Sequence, residues 1–171
     1  PLVTENLEVI GINYSAYSTA QNVGYAIPIN YVKLVLDDMF TNNVIRNPVL
    51  GCSFNNTNDS ILKYTKLCKS GYYVSFVGPN SPMDKAGVKA GNIICSIDGK
   101  KLDNYGEIFM ENNKSKFHIF DYLNYKKVGD KMELDVITLD GENYKMDKKT
   151  LVLEGQDYYK VRNKFVNYET I

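Results

Sequence analysis

The chain contains no tryptophan, a single histidine and a formal net charge of zero, because 20 acidic residues balance 20 basic ones. That charge balance argues against nucleic acid or an anionic membrane as the main partner. No apolar run approaches 18 residues, so the sequence predicts no membrane span. With His118 as the only imidazole, a catalytic set that needs a histidine base would have to be built around that residue.

Cysteine is also scarce. Cys52, Cys68 and Cys95 are odd in number, and their spacing matches no metal-binding pattern. Cys95 lies in an apolar segment, so the sequence favours reduced thiols and a core position for Cys95 over a disulfide scaffold. We therefore predict no metal and no other cofactor. The first residues lack a basic region followed by an apolar one, so we expect no targeting peptide within them, and the compartment stays unknown.

Residues 1–45 predict two short strands and one helix. The strands are expected at 7–13 and 23–27, with Pro28 ending the second. Helical spacing follows, with Asn30 as the expected N-cap, in the apolar residues Val32, Val35, Leu36, Met39 and Phe40. Two strands and one helix bury too little apolar surface to fold alone, so we expect them to be either the end of a larger domain or an appendage that packs on another unit.

A second unit begins at Arg46 and alternates apolar segments with Gly, Asn and Asp turns. This order indicates an α+β domain, a small partly open barrel with two helices. The predicted strands are 49–54, 71–77, 93–97, 132–139 and 143–153, and the predicted helices are 60–69 and 117–126, with a loop or irregular hairpin at 102–116.

Residues 78–99 carry the most specific pattern in the chain. Pro79 and Pro82 open a short helical turn, Val88 stands between two glycines, and an apolar strand runs into Asp98-Gly99. The run resembles the S-P-A-x-x-A-G-L-x-x-G-D-x-I-x-x-I-[DN]-G signature of PDZ domains, most closely those that follow the catalytic domain of HtrA/Deg serine proteases. The long segment 106–123 is most similar to the plant and fungal Deg subgroup. Asn92 departs from the family's usual aspartate.

The resemblance implies a PDZ domain at 46–154, followed by a tail at 155–171 that could lead into a second PDZ-like domain. PDZ domains add a peptide as a strand and hold its terminal carboxylate in a loop of backbone N–H groups. Here the loop would be 49–52, the pairing strand 52–54 and the facing helix 118–125. The implied peptide-binding residues are Val49, Leu50, Gly51, Cys52, Ser53, Phe54, His118 and Tyr122. In the alternative reading, Leu50 and Phe54 are core residues and His118 is a surface or capping residue.

Residues 1–45 resemble the end of the trypsin-like protease domain in the same family. The resemblance rests on Pro1-Leu2-Val3, on residues 9–13 and on 22–28. It implies that Ile12, Asn13 and Tyr14 form one wall of a substrate cleft, beside a specificity loop at 15–22. The family's nucleophile, base and orienting acid lie before these stretches, so we predict no catalytic residue here. The alternative is an ordinary barrel strand and a surface loop.

The sequence thus predicts the C-terminal part of an HtrA/Deg-like serine endopeptidase in protein quality control. Its implied partners are unfolded or C-terminal peptide segments, and the resemblance also implies a homo-oligomer. A pseudoprotease or structural scaffold that keeps only peptide binding remains the alternative, because the deciding residues lie outside this sequence.

Overall fold

The computed structural model describes residues 1–16, 24–41, 45–110, 115–140 and 143–155. Within these ranges four helices and thirteen strands form a mixed α+β arrangement with antiparallel pairing, and no sheet closes into a barrel. The predicted fold class is confirmed. None of the described helices has the length and apolar character needed to cross a membrane.

The first unit is a three-stranded sheet with one helix. Strands β1 (Leu2–Val3), β2 (Val9–Ala16) and β3 (Gly24–Pro28) pair in that order, and α1 (Ile29–Thr41) follows at once. Pro28 is the last residue of β3, at the sheet edge, where a missing N–H is tolerated. The N-cap prediction at Asn30 is wrong, because α1 already begins at Ile29 and Asn30 lies inside its first turn.

The second unit is built around a longer antiparallel sheet. Its strand order is β12-β11-β7-β6-β5, with β8 also on β7, while β9 pairs with β10 and β4 with β13. Its elements are β4 (Pro48–Val49), β5 (Cys52–Asn55), α2 (Asp59–Thr65), β6 (Tyr72–Val77), α3 (Pro82–Lys85), β7 (Ile93–Ile97), β8 (Lys100–Lys101), β9 (Glu107–Met110), β10 (Ser115–His118), α4 (Ile119–Leu123), β11 (Lys131–Asp140), β12 (Asn143–Val152) and β13 (Glu154–Gly155).

Two apolar clusters lie on opposite faces of this sheet. The main core includes Val74, Ile94 and Val136, together with residues of α3 and α4. A smaller cluster joins Leu62 of α2 to Ile93, Cys95 and Ile137. Successive residues of a strand face opposite sides, so β7 contributes to both clusters.

The small cluster overturns the prediction for two cysteines. Cys68 and Cys95 form a disulfide with a Cα–Cα distance of 6.3 Å, whereas Cys52 is free. The residues are 27 positions apart and become neighbours because α2 packs against β7. Linear spacing gave no sign of that approach, so the expectation of reduced thiols was wrong for this pair.

The 78–99 segment folds as its residue types indicate. The Ser81 hydroxyl accepts a hydrogen bond from the Asp84 N–H at 3.2 Å and thereby caps α3, which starts at Pro82. The buried Asn92 keeps the polar role of the usual aspartate, since its Oδ1 accepts a bond from the Lys89 N–H at 2.8 Å. These hydrogen bonds hold α3 and the turn at Asn92 in a defined conformation.

Candidate functional site

Loop 49–52 lies directly against the 78–99 segment. The Leu50 carbonyl accepts a hydrogen bond from the Met83 N–H at 3.2 Å, and the Gly51 carbonyl accepts one from the Gly78 N–H at 2.8 Å. Leu50 is buried in the main core. These contacts fix the back of the loop to the signature segment.

Gly51 has the left-handed conformation that glycine tolerates best. Its φ is +72°, and an added Cβ would come within 3.0 Å of the Ser81 Oγ and nearer still to the Ser81 Cβ. Both the backbone conformation and the available space therefore require glycine here.

β5 begins directly after Gly51 and is the last strand in the sheet order. It pairs with β6 through Cys52↔Val77, Ser53↔Phe76 and Phe54↔Val74. Among the described strands none pairs with its other edge, so that edge can accept an added strand. Cys52 and Phe54 pack against the main core, while Ser53 is exposed. Burial raises the pKa of the Cys52 thiol to about 12, so it stays protonated at neutral pH and is a poor nucleophile.

Helix α4 approaches β5 through aromatic contacts. His118 is its N-cap, and its Nδ1 accepts a hydrogen bond from the Phe120 N–H at 3.4 Å. The other ring nitrogen, Nε2, lies 3.5 Å from the Tyr72 hydroxyl. The rings of Phe54 and Phe120 meet edge to face with centroids 6.0 Å apart. The capping role that the sequence left open for His118 is therefore present, and the same residue stands beside the aromatic contact.

Tyr122 points elsewhere. It is buried, and its hydroxyl donates a hydrogen bond to Asp98 Oδ2 at 2.8 Å, where Lys126 Nζ also binds at 2.7 Å. Burial raises the pKa of Asp98, but the hydrogen bonds from Lys126, the Glu133 N–H and Tyr122 outweigh it, so that pKa lies below its usual value.

Phe120 is the aromatic residue of α4 that faces Phe54, and sequence reasoning did not single it out. A signal was available in the helical spacing. Ile119, Tyr122 and Leu123 fall on one helix face and are buried, which leaves Phe120 at the border of that face. Helical spacing alone thus separates the core residue Tyr122 from the partly exposed Phe120.

The second predicted site lies on β2 of the first unit. Ile12 and Asn13 pair with Ile27 and Ala26 of β3, and β1 pairs with β2 only at Val9 and Gly11. Among the described strands none covers the β1 side of residues 12–14, whose side chains are exposed. The predicted specificity loop contributes its first two residues, Ser15 and Ala16, to β2, and its residues 17–22 lie outside the described residues.

The described residues bring together no group of three His, Cys, Asp or Glu side chains that could hold a metal ion. The residues named at the two sites supply backbone groups, apolar and aromatic side chains, and the polar side chains of Asn13, Ser53 and His118. Such groups suit the binding of an extended chain.

Comparison with known proteins shows which family the chain resembles. Residues 48–150 match the family model described as PDZ domain. The periplasmic serine endoprotease DegP of Salmonella typhimurium is 34% identical over 111 residues, which cover 63% of this chain and 23% of DegP. The serine protease Do-like HtrA of Bacillus subtilis is 29% identical over 118 residues, which cover 63% of this chain and 26% of that protease. The chain thus matches about a quarter of the length of these relatives.

A solved structure shows the same fold over more of the chain. It is a serine-to-alanine variant of the HtrA-type protease AlgW with a decapeptide. It superposes with a TM-score of 0.60 at 18% identity and covers 90% of this chain and 44% of that one. That likeness concerns the fold, whereas the match of residues 48–150 and the DegP and HtrA relatives place the chain in the PDZ domain family, as a PDZ-containing segment of the HtrA/Deg type.

Proposed function

We propose that this chain binds extended peptides by strand addition to β5, with the peptide's terminal carboxylate held at loop 49–52. The observation that carries the proposal is Gly51. Its positive φ, its close approach to Ser81 and its anchored carbonyl fix the conformation of the loop at the start of a strand whose outer edge pairs with no described strand. Backbone N–H groups of such a loop are the donors that would hold the carboxylate.

The proposal predicts which groups supply the affinity. Backbone pairing along β5 is independent of side chains, whereas the carboxylate makes charge-assisted bonds in the loop. Each such bond contributes about 1.5–3 kcal/mol, so losing one costs at least about tenfold in affinity.

The test is titration of matched peptides, free acid against C-terminal amide, into the wild-type chain and Gly51→Val. The substitution adds both strain and a clash with Ser81. Gly99→Val is the matched control, because Gly99 has a φ of +73° and nothing within 4 Å of an added Cβ. We expect the acid to bind at least tenfold more tightly than the amide in wild type and in Gly99→Val, and to bind poorly to Gly51→Val. Equal binding of acid and amide, or full binding by a folded Gly51→Val, would contradict carboxylate capture.

The wider function follows from the relatives and rests on residues outside the described site. We propose that the chain is part of an HtrA/Deg-like serine endopeptidase, that Ile12, Asn13 and Tyr14 line its substrate cleft, and that the whole protein is a homo-oligomer acting on unfolded proteins. The open β1 side of residues 12–14 supports the cleft assignment.

This part of the proposal makes the 171 residues inert on their own. Without an upstream nucleophile the chain should not hydrolyse casein. Turnover that persists through purification and resists a serine-directed inhibitor would refute it. A pseudoprotease remains the second candidate, and the residues that precede Pro1 in the natural protein decide between the two: a G-N-S-G-G segment with an upstream His and Asp supports the enzyme.

A further inference from the structure

The main sheet of the second unit has two terminal strands, and β12 is the one farthest from the proposed peptide edge. It pairs with β11 over its whole length, from Asn143 opposite Asp140 to Val152 opposite Lys131. Nothing among the described strands pairs with the outer side of β12. The backbone N–H and C=O groups on that side can therefore pair with a further strand.

One face of β12 is apolar and partly exposed. Tyr144 is 36% exposed and Met146 is 37% exposed. The ring of Tyr64 in α2 meets that of Tyr144 edge to face with centroids 6.0 Å apart, and Tyr64 is itself 74% exposed. Met146 lies opposite Ile137 of the small cluster, so this face is the one on which α2 packs. A strand added to β12 would remove Tyr144 and Met146 from water.

The other face of β12 alternates in charge. Lys145, Asp147 and Lys149 follow one another there, because residues two apart on a strand share a face. The Asp147 carboxylate lies 3.9 Å from the Lys145 Nζ and 4.0 Å from the Lys149 Nζ. It also accepts a hydrogen bond from the Thr138 hydroxyl at 2.9 Å. A strand with this alternation can pair with an antiparallel copy of itself so that lysine opposes aspartate.

Only some registers allow that pairing. When two identical antiparallel strands are related by a two-fold axis perpendicular to the sheet, one residue lies opposite its own copy and its two neighbours oppose each other. With Met146 on the axis, Lys145 of each copy lies opposite Asp147 of the other. An axis at any charged residue of 143–149 instead places two identical charges opposite each other, which destabilises the pair. Edge lysines discourage strand pairing in general, and here they exclude the competing registers.

We infer that β12 is a self-association edge, through which two copies of this chain pair antiparallel over residues 143–149 with the two-fold axis at Met146. Tyr144 then lies opposite Lys148 of the second copy, whose methylene groups and ammonium pack on the ring. The surface is one that the proposed function does not use, and the dimer leaves the outer edge of β5 open. The paired segment is short, so we expect a weak, reversible dimer with a dissociation constant of about 10–100 µM.

The experiment measures the mass of the full chain by sedimentation equilibrium at increasing concentration, with circular dichroism to confirm folding. Lys145→Glu places an acid opposite Asp147 in both cross-strand pairs, and Asp147→Lys places a lysine opposite Lys145. An equimolar mixture of these two variants restores opposite charges in both pairs of a heterodimer. Lys101→Glu is the matched control, because it makes the same change in net charge at an exposed residue of β8.

We expect wild type and Lys101→Glu to dimerise equally. Each single β12 variant should associate with itself at least about tenfold more weakly, because two attractive pairs become repulsive. The equimolar mixture should recover most of the wild-type association. If Asp147→Lys does not fold, because it loses the bond from Thr138, Met146→Lys replaces it. That variant places two ammonium groups on the axis and should be monomeric.

Three results would overturn the inference. One is a wild-type chain that stays monomeric at about 0.5 mM. Another is a dimer that Lys145→Glu and Met146→Lys leave unchanged, since the contact then lies on a different surface. The third is a mixture that associates no better than its two components, which refutes the Met146 register. The preference for free acid over amide at loop 49–52 is measured separately, so the proposed peptide binding stands or falls independently of all three.

Discussion

Both units of the chain contain many apolar side chains, but they bury these side chains to different extents. In the described residues of the first unit, Gly11 is the only buried residue, and α1 buries none of its side chains. Large apolar residues of β1, β2 and α1 remain exposed there. The second unit instead fills both faces of its sheet with apolar clusters. An apolar pattern thus predicts a helix or strand in both units, but only the second supplies its own core.

The prediction with the largest expected effect concerns the folding of the two units when they are separated. Residues 46–155 should fold alone with a cooperative transition, and residues 1–45 should not, because the described residues of the first unit form no core of their own. The fragment should extend to Gly155, since β13 pairs with β4 next to loop 49–52. Thermal unfolding followed by circular dichroism is the measurement. A cooperative transition in 1–45, or none in 46–155, would show that the division near Arg46 is misplaced.

A pair of identical substitutions sharpens the comparison. Ile94 is 0% exposed at the centre of the main core, whereas Ile10 of β2 is 46% exposed. Ile94→Ala should lower the free energy of unfolding by about 4 kcal/mol through lost burial and a cavity. Ile10→Ala should change the same transition by less than about 0.5 kcal/mol. Urea denaturation of the full chain measures both, and similar losses would mean that the units share one core.

The disulfide should have the next largest effect. A bond that closes a 27-residue loop contributes about 3 kcal/mol by restricting the unfolded chain. Cys68→Ala should therefore lower the unfolding free energy of the second unit by about that amount. Cys52→Ala, which leaves the bond intact, is the control and should cost less. If both variants unfold at the same urea concentration as wild type, the bond contributes nothing to stability.

Asp98 should give a smaller, pH-dependent effect. Its pKa is lower in the folded chain than in the unfolded one, so its stabilising contribution is present above the unfolded value and disappears as the pH falls through the folded value. Asp98→Asn should cost about 1 kcal/mol at pH 7, a figure reduced for the partial exposure of the pair with Lys126. Asparagine tolerates the positive φ of this position. The difference from wild type should shrink at pH 3, and a constant difference would assign the loss to packing.

How much the sequence could predict depended on the range of the interactions. The strand 93–97 was predicted with its observed ends, because Asn92 and Asp98-Gly99 mark them locally. Loop 49–52 was assigned from its resemblance to the family's loop, and its role stays a prediction; the positive φ that the sequence allowed for Gly51 is observed. The N-cap prediction at Asn30 was wrong, because α1 already begins at Ile29. The Cys68–Cys95 bond and the contact of Phe120 with Phe54 were missed, since both join elements that are distant in sequence.

The Cys68–Cys95 disulfide also bears on the redox environment of the protein. Bonds of this kind form and persist in oxidising compartments and are rare where glutathione and thioredoxin keep thiols reduced. Cys95 is buried in the small cluster and Cys68 is half-buried beside it, so the folded chain shields the bond from soluble thiols. Thiol-blocking mass spectrometry of the denatured protein from its natural source should therefore find Cys52 reactive, and it should find Cys68 and Cys95 joined if the protein folds in an oxidising compartment.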